Sequence, residues 1–359
     1  VSVRTDTSIA PLTTLRVGGP ARTLVEATTE AELVDAVRTA DEAGEPLLLV
    51  AGGSNLLVAD AGFEGTVVHV ATTGIGVDSE DACGGGVVTV AAGHPFDDFV
   101  ATAVRRGWTG VEALSGIPGS TGATPVQNVG AYGQDVSQTI ETVRTWDRVE
   151  RRQRTFAAAE LGFGYRTSLL KTSRVALAGE HPESRYVVLA VTFQFRLSDR
   201  STAVAYPELA RRLGVRVGER APAADVRAAV LELRAGKGMV WDPRDLSDRD
   251  TWSAGSFFTN PVLSPAEADR LPADAPRFPA DGGAVKTSAA WLIERAGFGR
   301  GFGAPGPAAL STKHVLALTN RDGATAEDLL RLARTVADGV EERFGVRLVN
   351  EPVLVGARL

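Results

Sequence analysis

The chain has 359 residues, too many for one ordinary hydrophobic core, so two or three domains are expected. Hydrophobic residues make up 44% and charged residues 23%, an ordinary globular balance. A formal charge of −6 argues against a nucleic-acid or anionic-membrane partner, and the single cysteine, Cys83, excludes an intrachain disulfide framework or a cysteine-based metal site. In chain order, residues 11–20 end in a Gly-Gly-Pro turn. Thr29 opens a helix, with Glu32 completing a capping box, Leu33, Val34 and Val37 as its apolar face and Gly44 as its stop. Residues 46–50 read as a short buried strand that runs into Ala51-Gly52-Gly53-Ser54-Asn55 and then Leu56-Leu57-Val58. Strands are expected over 65–70 and 87–92. Pro95 starts a helix that faces inward with Phe96, Phe99, Val100, Ala103 and Val104, and Gly107 ends it. Residues 116–133 show neither a helix nor a strand period. Residues 140–149 and 186–195 are strand-like, with Phe163-Gly164-Tyr165-Arg166-Thr167-Ser168 between them.

Residues 200–225 are polar and ambiguous; 226–234 form a helix that Gly236 ends. A loop over 237–243 and a charged stretch over 244–250 read as a linker to a further domain starting near Trp252. That domain is expected to hold a helix at 288–296, a strand at 315–319 and a long helix at 325–344 with Leu329, Ala333, Val336 and Val340 on one stripe. The chain closes with an apolar strand over 348–356. His69, His94, His181 and His314 are scattered without ligand spacing, so no metal site is expected. No signal-peptide pattern and no run of about 18 apolar residues appears, so the expected location is the cytoplasm.

Two glycine-rich stretches carry the functional argument. In residues 116–133, five glycines sit among Ser, Thr, Gln and Asn, with Pro118 and Pro125. Gly permits positive φ and close backbone approach, so such a segment can line a diphosphate with N–H groups. A plain surface loop is the alternative, but structureless loops of this length are usually functional or disordered, and this one lacks the charge of a disordered segment. The strand-to-Gly52-Gly53-Ser54-Asn55 turn suits a phosphate or ribose; it is neither a Rossmann fingerprint nor a Walker A loop. From residue type alone, Arg166 reads as a surface ion-pair arginine, Ser256 as a turn serine, Glu351 as an edge-strand carboxylate and Lys237 as a helix C-terminal cation. No Gly-x-Ser-x-Gly elbow surrounds Ser256, which argues against a hydrolase nucleophile. Glu351 lies near Val349 and Val353 in an apolar stretch, where desolvation would raise its pKa.

The turn at 52–55 and the run Gly-Ile-Pro-Gly-x-x-Gly-x-x-Pro-Val-Gln-Asn-x-Gly-Ala-Tyr-Gly at 116–133 together resemble the FAD-binding half of the UDP-N-acetylenolpyruvoylglucosamine reductase (MurB) family. The resemblance extends over nearly the whole chain. It implies an α+β, three-domain flavoprotein: a two-part FAD-binding region of the PCMH (vanillyl-alcohol oxidase-like) type, formed by 1–70 with 346–359 and by 71–236, and a C-terminal α+β substrate domain at 237–345. By the same resemblance, FAD would be held by Gly52, Gly53, Ser54, Asn55, Leu56, Gly116, Ile117, Pro118, Gly119, Gly122, Ala123, Gln127, Asn128, Gly130, Ala131, Tyr132 and Gly133. Tyr165-Arg166-x-Ser168 matches the motif of the family's catalytic arginine, and Ala-Gly-Ser256-Phe-Phe-x-Asn260-Pro that of its catalytic serine. Glu351 takes the place of its catalytic glutamate, although Pro352 and Leu354 stand where members often carry other residues. Tyr165, Tyr206, Lys237 and Asn260 would bind substrate, Tyr206 on a loop that some members close over it and Lys237 at the substrate diphosphate.

The activity implied is reduction of UDP-N-acetylglucosamine enolpyruvate to UDP-N-acetylmuramate by NADPH through FAD, in a monomer. Arg166 and Glu351 would stabilise the enolate and Ser256 would deliver the proton. Two other readings stay open on sequence alone: a flavin oxidase of the same FAD fold, and a non-catalytic nucleotide-sugar binding protein.

Overall fold

Local capping rules define the first helix. The Thr29 hydroxyl accepts the Glu32 N–H at 3.2 Å, and the Glu32 carboxylate accepts the N–H groups of Thr28 (2.8 Å) and Thr29 (3.2 Å). The helix Glu30–Ala43 follows and ends at Gly44, φ +63°. In the computed structural model, which describes all residues except Val1, Ala82, 178–182 and Pro243, the chain separates into two compact units. Unit 1 comprises 1–7, 21–52 and 64–235; unit 2 comprises 8–20, 53–63 and 236–359.

Among the described residues, unit 1 is built on two larger sheets, beside two short two-stranded ones. The first has the order Ser2–Ser8, Pro20–Ala27, Phe63–Val70, Leu47–Val50, with the last two parallel and Leu48 opposite Val67. The second is antiparallel, ordered Arg152–Ala157, Ile140–Asp147, Tyr186–Leu197, Gly85–Ala91, Ile75–Asp81, and Trp108–Thr109 pairs with the end of Tyr186–Leu197. The helix Phe96–Arg106 buries Phe96, Phe99, Val100 and Ala103, and the Phe99 ring centroid lies 4.8 Å from that of Phe193. Each such large side chain taken from water contributes about 1.5–3 kcal/mol. Ser2–Ser8 and Ile75–Asp81 fall outside the expected strands because their residues are almost all exposed and polar; neighbouring strands, not side-chain pattern, recruit them. The ambiguous stretch 200–225 contains the helix Pro207–Leu213, and the next helix starts early, at Ala223–Ala235; Leu209, Val226 and Val230 share a small core.

In unit 2 the helix Ala326–Phe344, capped by Thr325, buries Leu329, Ala333, Val336 and Val340 as expected. It lies over the hairpin Ala308–Leu310/Leu318–Asn320 and the helix Ala289–Arg295. Leu15, Val17 and Leu57 complete the same core. Leu56–Val58 pairs in parallel with Val353–Val355. Two strand expectations shrink: 315–319 supplies only the start of Leu318–Asn320, and 348–356 only Val353–Val355 plus a bridge from Asn350 to Phe258. The charged stretch 244–250 is not wholly a linker. Asp250, 4% exposed, accepts from the Thr312 N–H at 2.9 Å and from Arg321 at 2.8 Å. Burial alone would raise the Asp250 carboxyl, but these bonds outweigh it and hold it below the usual range. Among the described residues no helix is long and apolar enough to cross a membrane, and no group of His, Cys, Asp and Glu could hold a metal ion. His181 lies outside the described residues.

Candidate active site

Unit 1 gives the glycine segment 116–133 more local structure than its sequence period suggests. Thr121–Ala123 is a 3-10 turn and Thr124–Gln127 a single helical turn, started by Pro125 and ended by Asn128 at φ +46°. Gly130–Ala131 then pairs with Gln134–Asp135. Asp97 pins the start: it accepts the Gly116 N–H at 2.6 Å and a two-pronged contact from Arg227 at 2.6 and 2.9 Å. Burial alone would raise the Asp97 carboxyl, but Arg227 and the Gly116 N–H prevail and lower it. The fully buried Glu112 pins the other end, accepting from the N–H groups of Gly110 (2.6 Å) and Thr202 (2.7 Å) and from Gln134 Nε2 (3.0 Å).

Gly52 meets this segment directly: a Cβ on Gly52 would lie 2.4 Å from Gly119 Cα. The two glycine stretches singled out in sequence are thus in contact, and Gly is required because backbone faces backbone. Gly119 and Gly133 adopt φ of +111° and +86°, and Tyr132 is left-handed at +50°. Ile117 and Ala131 are partly buried against the main core of the unit, Gly122 is buried, and Ala123 is exposed.

The Tyr165-Arg166 turn docks on the same segment. Asn128 Nδ2 donates to the Gly164 carbonyl (3.1 Å), Arg166 Nη2 to the Gly130 carbonyl (3.2 Å) and Ser168 Oγ to the Val126 carbonyl (2.8 Å). Lys171 Nζ donates to Gln127 Oε1 (2.7 Å) and to the Arg166 carbonyl (2.8 Å). Arg166 itself is left-handed, φ +54°, with its guanidinium carbon 5.4 Å from the half-exposed Tyr165 ring. Tyr206, 45% exposed, precedes the helix Pro207–Leu213 and sets its ring edge-on to Tyr132 at 5.5 Å. Sequence reasoning missed Asp97, Glu112, Gln134 and Lys171. Only Lys171 left a local signal, as the third residue of a short helix whose cap is Ser168.

In unit 2, Ser256 and Glu351 come together through backbone bonds. Phe257 N–H donates to the Leu316 carbonyl and Glu351 N–H to the Phe257 carbonyl, both at 2.8 Å. Gly255, φ +70°, turns the chain into this position. Ser256 is half-buried. Glu351 is half-buried and stands just before the strand Val353–Val355; Val349 and Val353, expected to desolvate it, are themselves 60% and 42% exposed. Asn55 joins the pair: its Nδ2 donates to the Glu351 carbonyl at 3.4 Å and its carbonyl accepts the Val353 N–H at 3.0 Å. Asn260 Oδ1 accepts the Ala289 N–H at 3.0 Å, at the start of the Ala289–Arg295 helix. Leu56 is buried in its strand opposite Val353, and Ser54 and Lys237 are half-buried. At Gly53, φ +55°, a Cβ would lie 1.8 Å from the Leu12 carbonyl oxygen, so its glycine is required by the protein's own backbone.

The glycine segment 116–133 of unit 1 has the chemistry to hold a flavin adenine dinucleotide, and so, taken by itself, has the turn at 52–55. Neither 51–58 nor 116–133 contains an acidic side chain to repel a diphosphate. Within the second, the Ser120 hydroxyl is buried with no hydrogen-bond partner among the described residues, an arrangement that costs free energy unless a bound group completes it.

Comparison with known proteins agrees with this geometry. Residues 21–151 match a family described as FAD binding domain, and residues 246–355 match UDP-N-acetylenolpyruvoylglucosamine reductase, C-terminal domain. The UDP-N-acetylenolpyruvoylglucosamine reductase of Cutibacterium acnes is 56% identical over 99% of this chain and 90% of its own length. That of Streptomyces avermitilis is 54% identical over 99% and 95%. The crystal structure of the Thermus caldophilus enzyme (MurB) superposes with a TM-score of 0.63 at 25% identity, covering 99% of this chain and 98% of that one. Identity of this extent over the full chain, on a fold that places both glycine stretches in contact, establishes that the chain belongs to the UDP-N-acetylenolpyruvoylglucosamine reductase family.

Proposed function

We propose that the protein reduces UDP-N-acetylglucosamine enolpyruvate to UDP-N-acetylmuramate with NADPH and bound FAD, in peptidoglycan precursor synthesis. The observation that carries this reading is 56% identity, over 99% of the chain, to a reductase named for that substrate. The turn at 52–55 and the segment 116–133 would hold FAD, which would supply the hydride transfer from NADPH to the terminal enolpyruvyl carbon. Arg166 and Glu351 stabilise the negative charge that then develops on the neighbouring carbon and its carboxylate. The Ser256 hydroxyl delivers a proton to that carbon; a serine is a weak acid and serves only so basic a partner. Lys237 meets the substrate diphosphate. Asn260 presents its amide donors, its oxygen being held by Ala289. Tyr165 and Tyr206 cover the substrate, Tyr206 by closing over it. The proposal includes a monomer in the cytoplasm, where NADPH and sugar nucleotides are available. It also includes a division into 1–70 with 346–359, 71–236 and a substrate domain at 237–345.

The test separates the two half-reactions by anaerobic stopped-flow at the flavin absorption band. Ser256→Ala should bind FAD and bleach normally with NADPH. Its reoxidation by the enolpyruvyl substrate should slow by at least about 100-fold, the lower range for a placed proton donor. Reoxidation at the parent rate would remove Ser256 from the mechanism.

A further inference from the structure

Resting on the assignment of Arg166 above, we propose that Lys171 is a positioning residue that sets the backbone of Arg166, and through it the guanidinium, for the reduction of the substrate. Arg166 holds a left-handed backbone, φ +54°, which a residue with a Cβ adopts only when its surroundings impose it. Backbone bonds from the Gly164 N–H to the Thr167 carbonyl (3.1 Å) and from the Thr167 N–H to the Gly164 carbonyl (3.4 Å) close the turn around Arg166, and the Lys171 ammonium holds the Arg166 carbonyl itself, donating to it at 2.8 Å. The same ammonium donates to Gln127 Oε1 at 2.7 Å, so one cation ties the arginine turn to the glycine segment. Lys171 is itself held in register. It lies in the short helix Leu169–Thr172, whose cap Ser168 accepts the Lys171 N–H at 3.3 Å and donates to the Val126 carbonyl at 2.8 Å.

Two other side-chain bonds at the turn engage different atoms. Asn128 reaches Gly164, two residues before the arginine, and Arg166 Nη2 reaches the Gly130 carbonyl from the far end of a flexible side chain. With Lys171 removed, the left-handed turn loses a charge-assisted bond to the Arg166 carbonyl, and the guanidinium shifts away from the position that the developing carboxylate charge requires. A displacement of this kind lowers the rate of the step Arg166 serves and has less effect on substrate affinity.

The test uses flavin-loaded full-length protein with UDP-N-acetylglucosamine enolpyruvate. Lys171→Met should slow flavin reoxidation roughly 10- to 100-fold, with a much smaller change in KM. Amide hydrogen exchange over 163–168, followed by mass spectrometry, should accelerate in the same variant without substrate. The decisive measurement is a double-mutant cycle: added to Arg166→Ala, Lys171→Met should slow reoxidation by no more than about twofold further, because its effect passes through Arg166. Should Lys171→Met fail to give soluble flavoprotein, the same cycle is run with Lys171→Gln. Parent-like reoxidation in the lysine variant, or losses that multiply in the double variant, would overturn the positioning role. Parent-like reoxidation in Arg166→Ala alone would instead overturn the assignment of Arg166, so the two failures are distinct.

Discussion

At the scale of single residues, glycines in one motif serve different ends. Gly52 is small so that its backbone can touch that of Gly119, whereas Gly53 is small because the Leu12 carbonyl occupies the space of its missing Cβ. Its φ of +55° adds a second penalty for any side chain. Gly53→Ala should therefore destabilise the protein whether or not flavin is bound. Thermal unfolding of flavin-stripped protein checks this: the variant should melt several degrees below the parent. Equal midpoints in the stripped forms, with a difference only when flavin is present, would mean that the cofactor and not Leu12 demands the glycine.

Among elements, the helix Glu30–Ala43 shows how a cap becomes a pH dependence. The Thr28 N–H and hydroxyl, with a smaller contribution from the Thr29 N–H, stabilise the Glu32 carboxylate and help hold its pKa well below 4.5. A carboxyl whose pKa is depressed by folding contributes stability above its unfolded pKa, and that contribution is lost as pH falls through the folded value. Glu32→Gln should lower the thermal midpoint near neutral pH, and the deficit should narrow between about pH 5 and pH 3 as the parent carboxylate begins to lose its advantage. A deficit that stays constant across that range would show that the shape of the side chain, not its charge, forms the cap.

For the molecule as a whole, the ionic cluster around Arg148 is the clearest long-range tie in unit 1. Its side chain is 1% exposed and reaches Asp41 and Glu183, both at 2.6 Å, while Glu183 also accepts the Leu47 N–H at 2.9 Å. Burial would lower the Arg148 pKa; the two carboxylates raise it instead. Removing one member of such a cluster strands the others and typically costs about 3–5 kcal/mol. Arg148→Ala should accelerate amide exchange in the strand Tyr186–Leu197 while leaving the helix Ala326–Phe344, in unit 2, near its parent rate. Equal acceleration in both would show that the two units open as one.

The sequence by itself determined what depends on neighbours along the chain. Thr29 with Glu32, Gly44, Pro95, Gly107 and Thr325 mark helix ends because caps and stops are satisfied within a few residues. The glycine segment stood out for a related reason, since backbone freedom and small polar side chains in a fixed order leave few other uses, whereas Arg166 and Ser256 were singled out only by the resemblance of their motifs to those of the family. Tertiary structure alone decided the rest, because those partners are remote in sequence. The segment 8–20 joins the C-terminal core through contacts such as Asn320 Nδ2 to the Leu15 carbonyl, 305 residues apart. Exposed edge strands such as Ile75–Asp81 carry no pattern that could announce their pairing. Gly52 against Gly119 and Glu112 against Thr202 are meetings that no local period encodes. They exist because folding brings together groups whose hydrogen-bonding and steric needs cannot be met by their sequence neighbours.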